Sequence, residues 1–289
     1  MQLLTSADLK QSSSYHPCLY ETEKWVRDFL GNPHPELGRP GPVCPFVPRA
    51  LQQNTVYFSA VPANGGSVDE LTALVATYCH TFLELEPKTG PLSVYKSILL
   101  IFPDVETQNA GDLIDVVQQN LKPLFVDQGL MIGEFHGRSN SPGLHNPIFR
   151  PLRSPIPMLA IRFMAESDLP FLSRMTDSAE LRLRYLRAYI NRMSMANAAR
   201  ALPAAEAAIA MAEAELKDKA IVPSANESPL ASTTKAITAS SPLTELSPPP
   251  EEKPSRTCPF RRLKQWIDIL PTLALRVQRG GFSLKAGQD

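Results

Sequence analysis

The amino-acid sequence predicts an α/β protein with a mixed sheet covered by helices, in the manner of a ferredoxin-like sandwich. Segments with strand patterns alternate with segments of helical spacing, which is typical of that class. The last two predicted strands are joined by a loop alone, so we expect them to form an antiparallel ribbon. The chain is 43% hydrophobic and 20% charged, which suits one domain of about 200 residues plus extra segments.

The first predicted elements precede and follow a proline-rich turn. Residues 1–19 are polar and are expected to be disordered, and the α/β domain is assigned to residues 20–219. An amphipathic helix is predicted over 20–30, a short helix near 49–53, and a β-branched, aromatic strand over 55–61. Ser67 with Glu70 forms a capping box, which starts a helix whose apolar residues recur at helical spacing.

The remaining elements complete the alternation. The run over 94–102 is the most apolar and is expected to be a central strand. A helix over 110–125 follows, and Gly129 is a plausible stop before the next strand. Strands are predicted at 130–136 and 158–164, and helices at 177–198 and 203–219.

The C-terminal part differs from the domain in composition. Residues 220–256 are rich in Pro, Ser and Thr, bury little apolar surface, and are predicted to be a disordered linker. Residues 257–289 form a basic amphipathic tail that includes Arg261, Lys264 and Trp266. Three interpretations stay open for it: docking on its own domain, contact of 257–279 with a protein or an anionic membrane surface, or disorder.

Composition excludes several classes of protein. Lys plus Arg and Asp plus Glu both number 29, so the charge gives no reason to expect a nucleic-acid partner. The four cysteines are far apart, which argues against a zinc site or a disulfide framework. No secretory signal and no long apolar run are seen, so we expect a cytoplasmic protein, peripheral at a membrane only through its tail. Familiar catalytic signatures such as GxSxG and HExxH are absent, so no reaction is named.

The loop over 136–157, HGRSNSPGLHNPIFRPLRSPIP, is the strongest candidate site. It contains Arg138, Arg150 and Arg153, together with His136 and His145, and has no acidic residue. Loops of this length are usually functional or disordered, and grouped guanidinium groups favour an anionic small-molecule ligand. The alternative is that the arginines satisfy loop carbonyls and the histidines only cap turns.

Two further features could contribute to chemistry. Glu134 and His136 lie two residues apart on one predicted strand and therefore share a face, where they could act as an acid–base pair or form a solvated edge. Cys44 precedes Pro45, and is either a buried small residue, a reactive thiol or a soft ligand for iron.

A family resemblance is carried by three segments: LGRPGPVCPFVPRAL (37–51), GEFHGRSNSPGLHNPIFRPLRSPIPMLAIRFM (133–164) and DLPFL (168–172). They resemble an uncharacterised domain family, DUF 6875, over about residues 20–195. The resemblance implies no established activity, and the linker and tail fall outside it.

The order of elements is also similar to that of the YcgG-type heme proteins, which include heme-dependent N-hydroxylases. This resemblance implies heme as a cofactor, with His136 or His145 as the axial ligand to the metal. It implies that Arg138, Arg150 and Arg153 pair with the heme propionates and that Cys44 lines the pocket. Two hypotheses follow: a heme-dependent oxidoreductase acting on a small nitrogen-containing metabolite, or a non-catalytic protein that holds an anion with its Arg/His loop.

Overall fold

The computed structural model describes residues 2–63 and 65–221, which form five strands and eight α-helices. The strands are β1 (Leu4–Thr5), β2 (Val56–Ala60), β3 (Ser97–Ile101), β4 (Leu130–Phe135) and β5 (Met158–Phe163). The helices are α1 (Ser6–Gln11), α2 (Pro17–Trp25), α3 (Val47–Gln52), α4 (Val68–Glu84), α5 (Val116–Asp127), α6 (Leu169–Leu172), α7 (Ala179–Met195) and α8 (Leu202–Ile221). A π-helical turn follows α2 at Val26–Leu30, and another precedes α5 at Gly111–Asp115. The predicted tail, and the predicted linker from residue 222 onward, lie outside the described residues.

The strands form one mixed sheet in the order β1-β2-β3-β5-β4. Strands β2 and β3 are parallel and are connected through α4, whereas the other neighbouring pairs are antiparallel. The predicted ribbon is confirmed, because β4 pairs with β5 from Leu130 opposite Phe163 to Phe135 opposite Met158. The apolar run SILLI occupies the centre of the sheet, as predicted.

Packed elements cover both faces of the sheet. The finer prediction, a ferredoxin-like sandwich, is not confirmed. Successive side chains of β3 point to opposite faces: Ile98 and Leu100 pack into the core beneath α4 and α5. Leu99 and Ile101 pack into a second core with α2, α3 and Phe149 of the loop after β4. A third cluster joins the end of α5 to α7 and α8.

The structure contradicts the predicted disorder of the first 19 residues, of which it describes 2–19. Leu4 pairs with Phe58, so β1 covers the edge of β2, and Thr5 forms a capping box with Asp8 at the start of α1. Leu4 and Leu9 are both buried in the second core. Apolar residues spaced along a largely polar segment therefore attach it to the sheet and its core.

Most element boundaries agree with the predictions to within a few residues, with one clear shift. The strand predicted from residue 94 begins at Ser97, because Ser93–Tyr95 forms a 3-10 turn and Lys96 turns its side chain toward the end of α4. No described helix is long and apolar enough to cross a lipid bilayer.

Candidate functional site

The candidate site lies where the edge strand β4 ends. Leu130 and Ile132 point into the core beneath α5, and Glu134 and His136 follow on the same side of the chain because strand side chains alternate. The turn that begins β4 is set by Gly129, whose backbone has a positive φ of 71°. This register brings His136 against the π-helical turn that leads into α5.

His136 and Asp115 form the centre of the site. His136 Nε2 lies 3.0 Å from Asp115 Oδ1, and the imidazole is only 3% exposed whereas the Asp115 side chain is 35% exposed. His136 Nδ1 is also buried, and it has no hydrogen-bond partner among the described residues. The arrangement suits the tautomer in which Nε2–H donates to the carboxylate, because protonated Nδ1 would bury a second donor without an acceptor.

Asp115 belongs to the π-helical turn Gly111–Asp115 rather than to α5 itself. Single π turns are uncommon and occur frequently at functional sites, because they change the direction of one side chain relative to the rest of the helix. Here the carboxylate reaches across to the edge strand, while Val117 and Leu121 of α5 stay in the core.

Glu134 adds a second carboxyl group beside this pair. Burial raises the pKa of the Glu134 carboxyl above its usual value, and the nearby charge of Asp115 raises it further. The Ser141 hydroxyl donates to Glu134 Oε1 at 3.3 Å, and this hydrogen bond and the charge of Arg174 oppose the shift. Glu134 therefore holds its proton to a higher pH than an exposed glutamate does.

An open pocket of about 320 Å³ lies over the Asp115–His136 pair. Its wall consists of polar side chains and one glycine: Gln108, Gly111, Asp112, Asp115, His136, Arg138 and Asn140. Arg138 is fixed at the rim, where its guanidinium donates to the backbone carbonyl of Gln108 at 3.3 Å. Two carboxylates and one guanidinium thus face the same small volume.

The other residues predicted for the site do not line this pocket. Arg150 donates to the carbonyls of Pro147 and Phe149, and the Arg153 Nε donates to the Ser139 carbonyl. These contacts are the ones that the alternative interpretation of the loop predicted, with guanidinium groups satisfying loop carbonyls.

His145 and Cys44 lie away from the pocket as well. His145 is exposed, and its backbone carbonyl approaches Gly38, 2.7 Å from where a Cβ would stand. Cys44 is half-buried against the second core, on the opposite face of the sheet from Ile98 and Leu100. Of the predicted residues, His136 and Arg138 line the pocket and Glu134 lies beside it.

Asp115, Asp112 and Gln108 are pocket residues that the sequence interpretation missed. The segment 110–125 was interpreted through its apolar face alone, which is the face that decides helix packing. A usable signal was present, because Asp112 and Asp115 are acids three residues apart at the start of that helix.

The described residues do not bring together the set that heme binding requires. His136 Nε2 is engaged by Asp115, and its Nδ1 is buried rather than open to a cavity. His145, Cys44 and the arginines of the loop do not converge on the same pocket. No cluster of three or more His, Cys, Asp or Glu side chains suited to a metal ion occurs in residues 2–63 and 65–221. Heme binding stays a prediction from the sequence.

The fold and the site define a class: an α/β domain with a mixed five-stranded sheet and a polar pocket beside its edge strand. The model of the family described as "Domain of unknown function (DUF6875)" matches residues 19–201, so the chain belongs to that family. The match confirms the resemblance seen in the proline-rich segments. It contains the whole pocket and ends with the 3-10 turn Ala199–Ala201, directly before α8. Searches of curated proteins and of solved structures returned no significant match. The similarity to heme-dependent N-hydroxylases gains no support from these comparisons.

Proposed function

We propose that this domain binds a small metabolite carrying a cationic nitrogen, and that Asp115 is the group that holds it. The observation that carries the proposal is the buried His136 hydrogen-bonded to a partly exposed carboxylate in a pocket with polar walls. A carboxylate that one hydrogen bond already orients, and that is partly exposed, can pair with a cation at a lower cost in side-chain ordering.

The charges of the pocket favour a ligand with both signs. Asp112 and Asp115 outnumber Arg138, so a purely anionic ligand would face two like charges. A zwitterion could place its cationic end between the two carboxylates and its carboxylate on the guanidinium at the rim. This assignment changes the expectation from the sequence, which counted the arginines of the loop and not the acids of the helix.

His136 acts as a positioning residue in this proposal. It donates from Nε2 to Oδ1 of Asp115 and leaves Oδ2 as the oxygen available to a ligand. Because the imidazole is buried, a ligand in the pocket contacts the carboxylate rather than the ring. Replacing the ring should therefore weaken binding by loosening Asp115 and not by removing a contact.

Three four-carbon probes separate the possibilities. Putrescine has two ammonium ends, succinate has two carboxylates, and γ-aminobutyrate has one of each. NMR signals of the His136 imidazole report on binding, and His80, which is exposed on α4, serves as the internal reference. We expect γ-aminobutyrate to shift the His136 signals at the lowest concentration, putrescine at a higher one, and succinate not at all.

Two variants test the roles of the residues. Asp115→Asn keeps the shape of the side chain and should abolish the response, whereas Asp127→Asn changes an acid outside the pocket and should preserve it. No response of His136 to any probe, or a response to succinate alone, would overturn the proposal. A Soret band after heme supplementation that disappears in His136→Ala would instead support the heme-dependent oxidoreductase predicted from the resemblance.

A second candidate, proton transfer, is favoured by Glu134. A half-buried carboxyl whose pKa is raised, next to a second carboxyl, is the pattern by which enzymes separate an acid from a base. In this case Asp115 would accept a proton from the bound ligand and Glu134 would keep its own. Asp115→Asn would then stop turnover of a bound substrate, and Glu134→Gln would alter its pH profile while leaving binding intact. An unchanged profile in Glu134→Gln would reject this role.

A further inference from the structure

The loop between β4 and β5 presents two aliphatic side chains to solvent at its apex. Ile148 is 82% exposed and Leu144 is 58% exposed, although both are large and apolar. They lie four residues apart on a segment that also contains Pro142 and Pro147. Exposed apolar side chains that group together can mark a site of contact with a protein or a membrane.

The apex is held in place by specific contacts. The Asn146 side chain donates to the Glu36 carbonyl at 2.7 Å and accepts from the backbone N–H of Ile148 at 3.0 Å. Phe149 is buried, and its ring stacks on His34 with the centroids 4.7 Å apart. Ile148 therefore points outward from an anchored base, and its exposure does not come from a failure of the loop to pack.

Arginine side chains lie on the same loop as the two aliphatic ones and on the adjoining turn. The Arg150 guanidinium lies on the Pro147 carbonyl, next to Ile148, and Arg153 and His145 are exposed on the same loop. Arg39 lies on the adjoining turn, which also contains Glu36, whose backbone carbonyl accepts the hydrogen bond from Asn146. Segment 136–157 itself contains no acid.

We propose that this apex inserts into the surface of an anionic lipid membrane. Its side chains protrude, so they suit a soft interface that closes around them better than a preformed groove on a protein. Aliphatic residues would enter the boundary between headgroups and acyl chains, while the guanidinium groups stay at the level of the lipid phosphates. The inference is independent of the pocket and of its ligand.

Vesicle co-sedimentation of the full-length chain tests the inference. Vesicles of phosphatidylcholine are compared with vesicles of equal parts phosphatidylcholine and phosphatidylserine. We expect binding to the anionic vesicles alone, and weaker binding as salt is added, because surface charges are screened within about 10 Å. Replacing Leu144 and Ile148 by Ser should weaken binding by on the order of tenfold to a hundredfold.

A matched control uses two other exposed apolar residues. Met195 and Met211, on α7 and α8, are 76% and 69% exposed, so Met195→Ser with Met211→Ser removes similar exposed surface elsewhere. Full binding in that control and weak binding in the loop variant would support the inference. No binding to either vesicle, or equal binding of the loop variant and the wild type, would overturn it. Loss of binding in Trp266→Ser with an unchanged loop variant would assign the contact to the tail and would equally overturn it.

Discussion

Lys96 allows a quantitative test of how this fold treats a buried charge. Its side chain is fully buried, and Nζ donates to the Phe82 and Leu85 carbonyls at the C-terminal end of α4, at 2.8 and 2.5 Å. The ammonium also lies 4.5 Å from the ring centroid of Phe82 and 5.1 Å from that of Phe163. The helix end and the two rings favour the cation, whereas the loss of water opposes it.

Burial lowers the pKa of the Lys96 ammonium from 10.5 to about 8. This difference corresponds to about 3 kcal/mol, since each pKa unit is worth about 1.4 kcal/mol. In the folded chain the amine loses its proton near pH 8, whereas in the unfolded chain it keeps the proton until about pH 10.5. Between these values the unfolded state binds more protons, so the lysine's contribution to stability rises with pH. Below about pH 8 the penalty is constant.

The assay compares denaturant unfolding of the wild type with that of Lys96→Met from about pH 7 to about pH 10.5. We expect the free energy of unfolding of the wild type to rise by about 3 kcal/mol relative to that of Lys96→Met over this range. Burial raises the pKa of Cys79 to about 11 and that of Tyr189 to about 12, which destabilises the fold at high pH. Both proteins contain these groups, so their effects cancel in the difference.

Lys24→Met is the matched control, because Lys24 is exposed on α2. It measures the effect of removing an exposed lysine over the same pH range. If the Lys96→Met difference is independent of pH, then the carbonyls and rings compensate fully for the lost hydration of the ammonium, and the reasoning above is refuted.

Three other predictions concern the site and its supports. Glu134→Gln should stabilise the protein near neutral pH but not near pH 4, because a raised carboxyl pKa costs stability only above the unfolded value; an equal gain at both pH values in unfolding experiments would contradict this. Arg162→Met leaves the buried Asp168 carboxylate without its bidentate partner, so it should lower the free energy of unfolding by about 3–5 kcal/mol. The loss should be smaller when Asp168→Asn is added, because no buried charge is then left unpaired. Equal losses in the single and the double variant would contradict this. Gly38→Ala should lower the Tm more than Gly90→Ala, because both have positive φ but only the first would place a Cβ 2.7 Å from a loop carbonyl; similar Tm values would contradict that contact.

Local signals predicted the parts of the fold that depend on local chemistry. Ser67 and Glu70 form the expected capping box, with both reciprocal hydrogen bonds present at the start of α4. Gly129 ends the α5 segment with a positive φ, as its position suggested. Strand alternation predicts that Glu134 and His136 share a side of the chain. Glu134 lies in β4 and His136 directly follows it, and both side chains lie near Asp115.

The contacts that define the site could not be predicted in the same way. Asp115 and His136 are 21 residues apart, and their contact depends on a π-helical turn that a pattern of apolar spacing does not reveal. The order of the N-terminal segment also depends on distant parts of the chain, since Leu4 pairs with β2 and is buried in the second core. Tertiary context decided both outcomes.

The arginines of the loop show why residue type alone does not locate a ligand site. Proline has no backbone N–H, and the loop over 136–157 contains five prolines, so its carbonyls outnumber the donors that could satisfy them locally. Arg150 and Arg153 supply the missing donors from their side chains. A guanidinium without a nearby acid can therefore serve the backbone as well as an anion, and composition does not separate the two. Arg138 differs because it lines a pocket that also contains carboxylates, and this neighbourhood, rather than the number of arginines, is the reason we propose a ligand there.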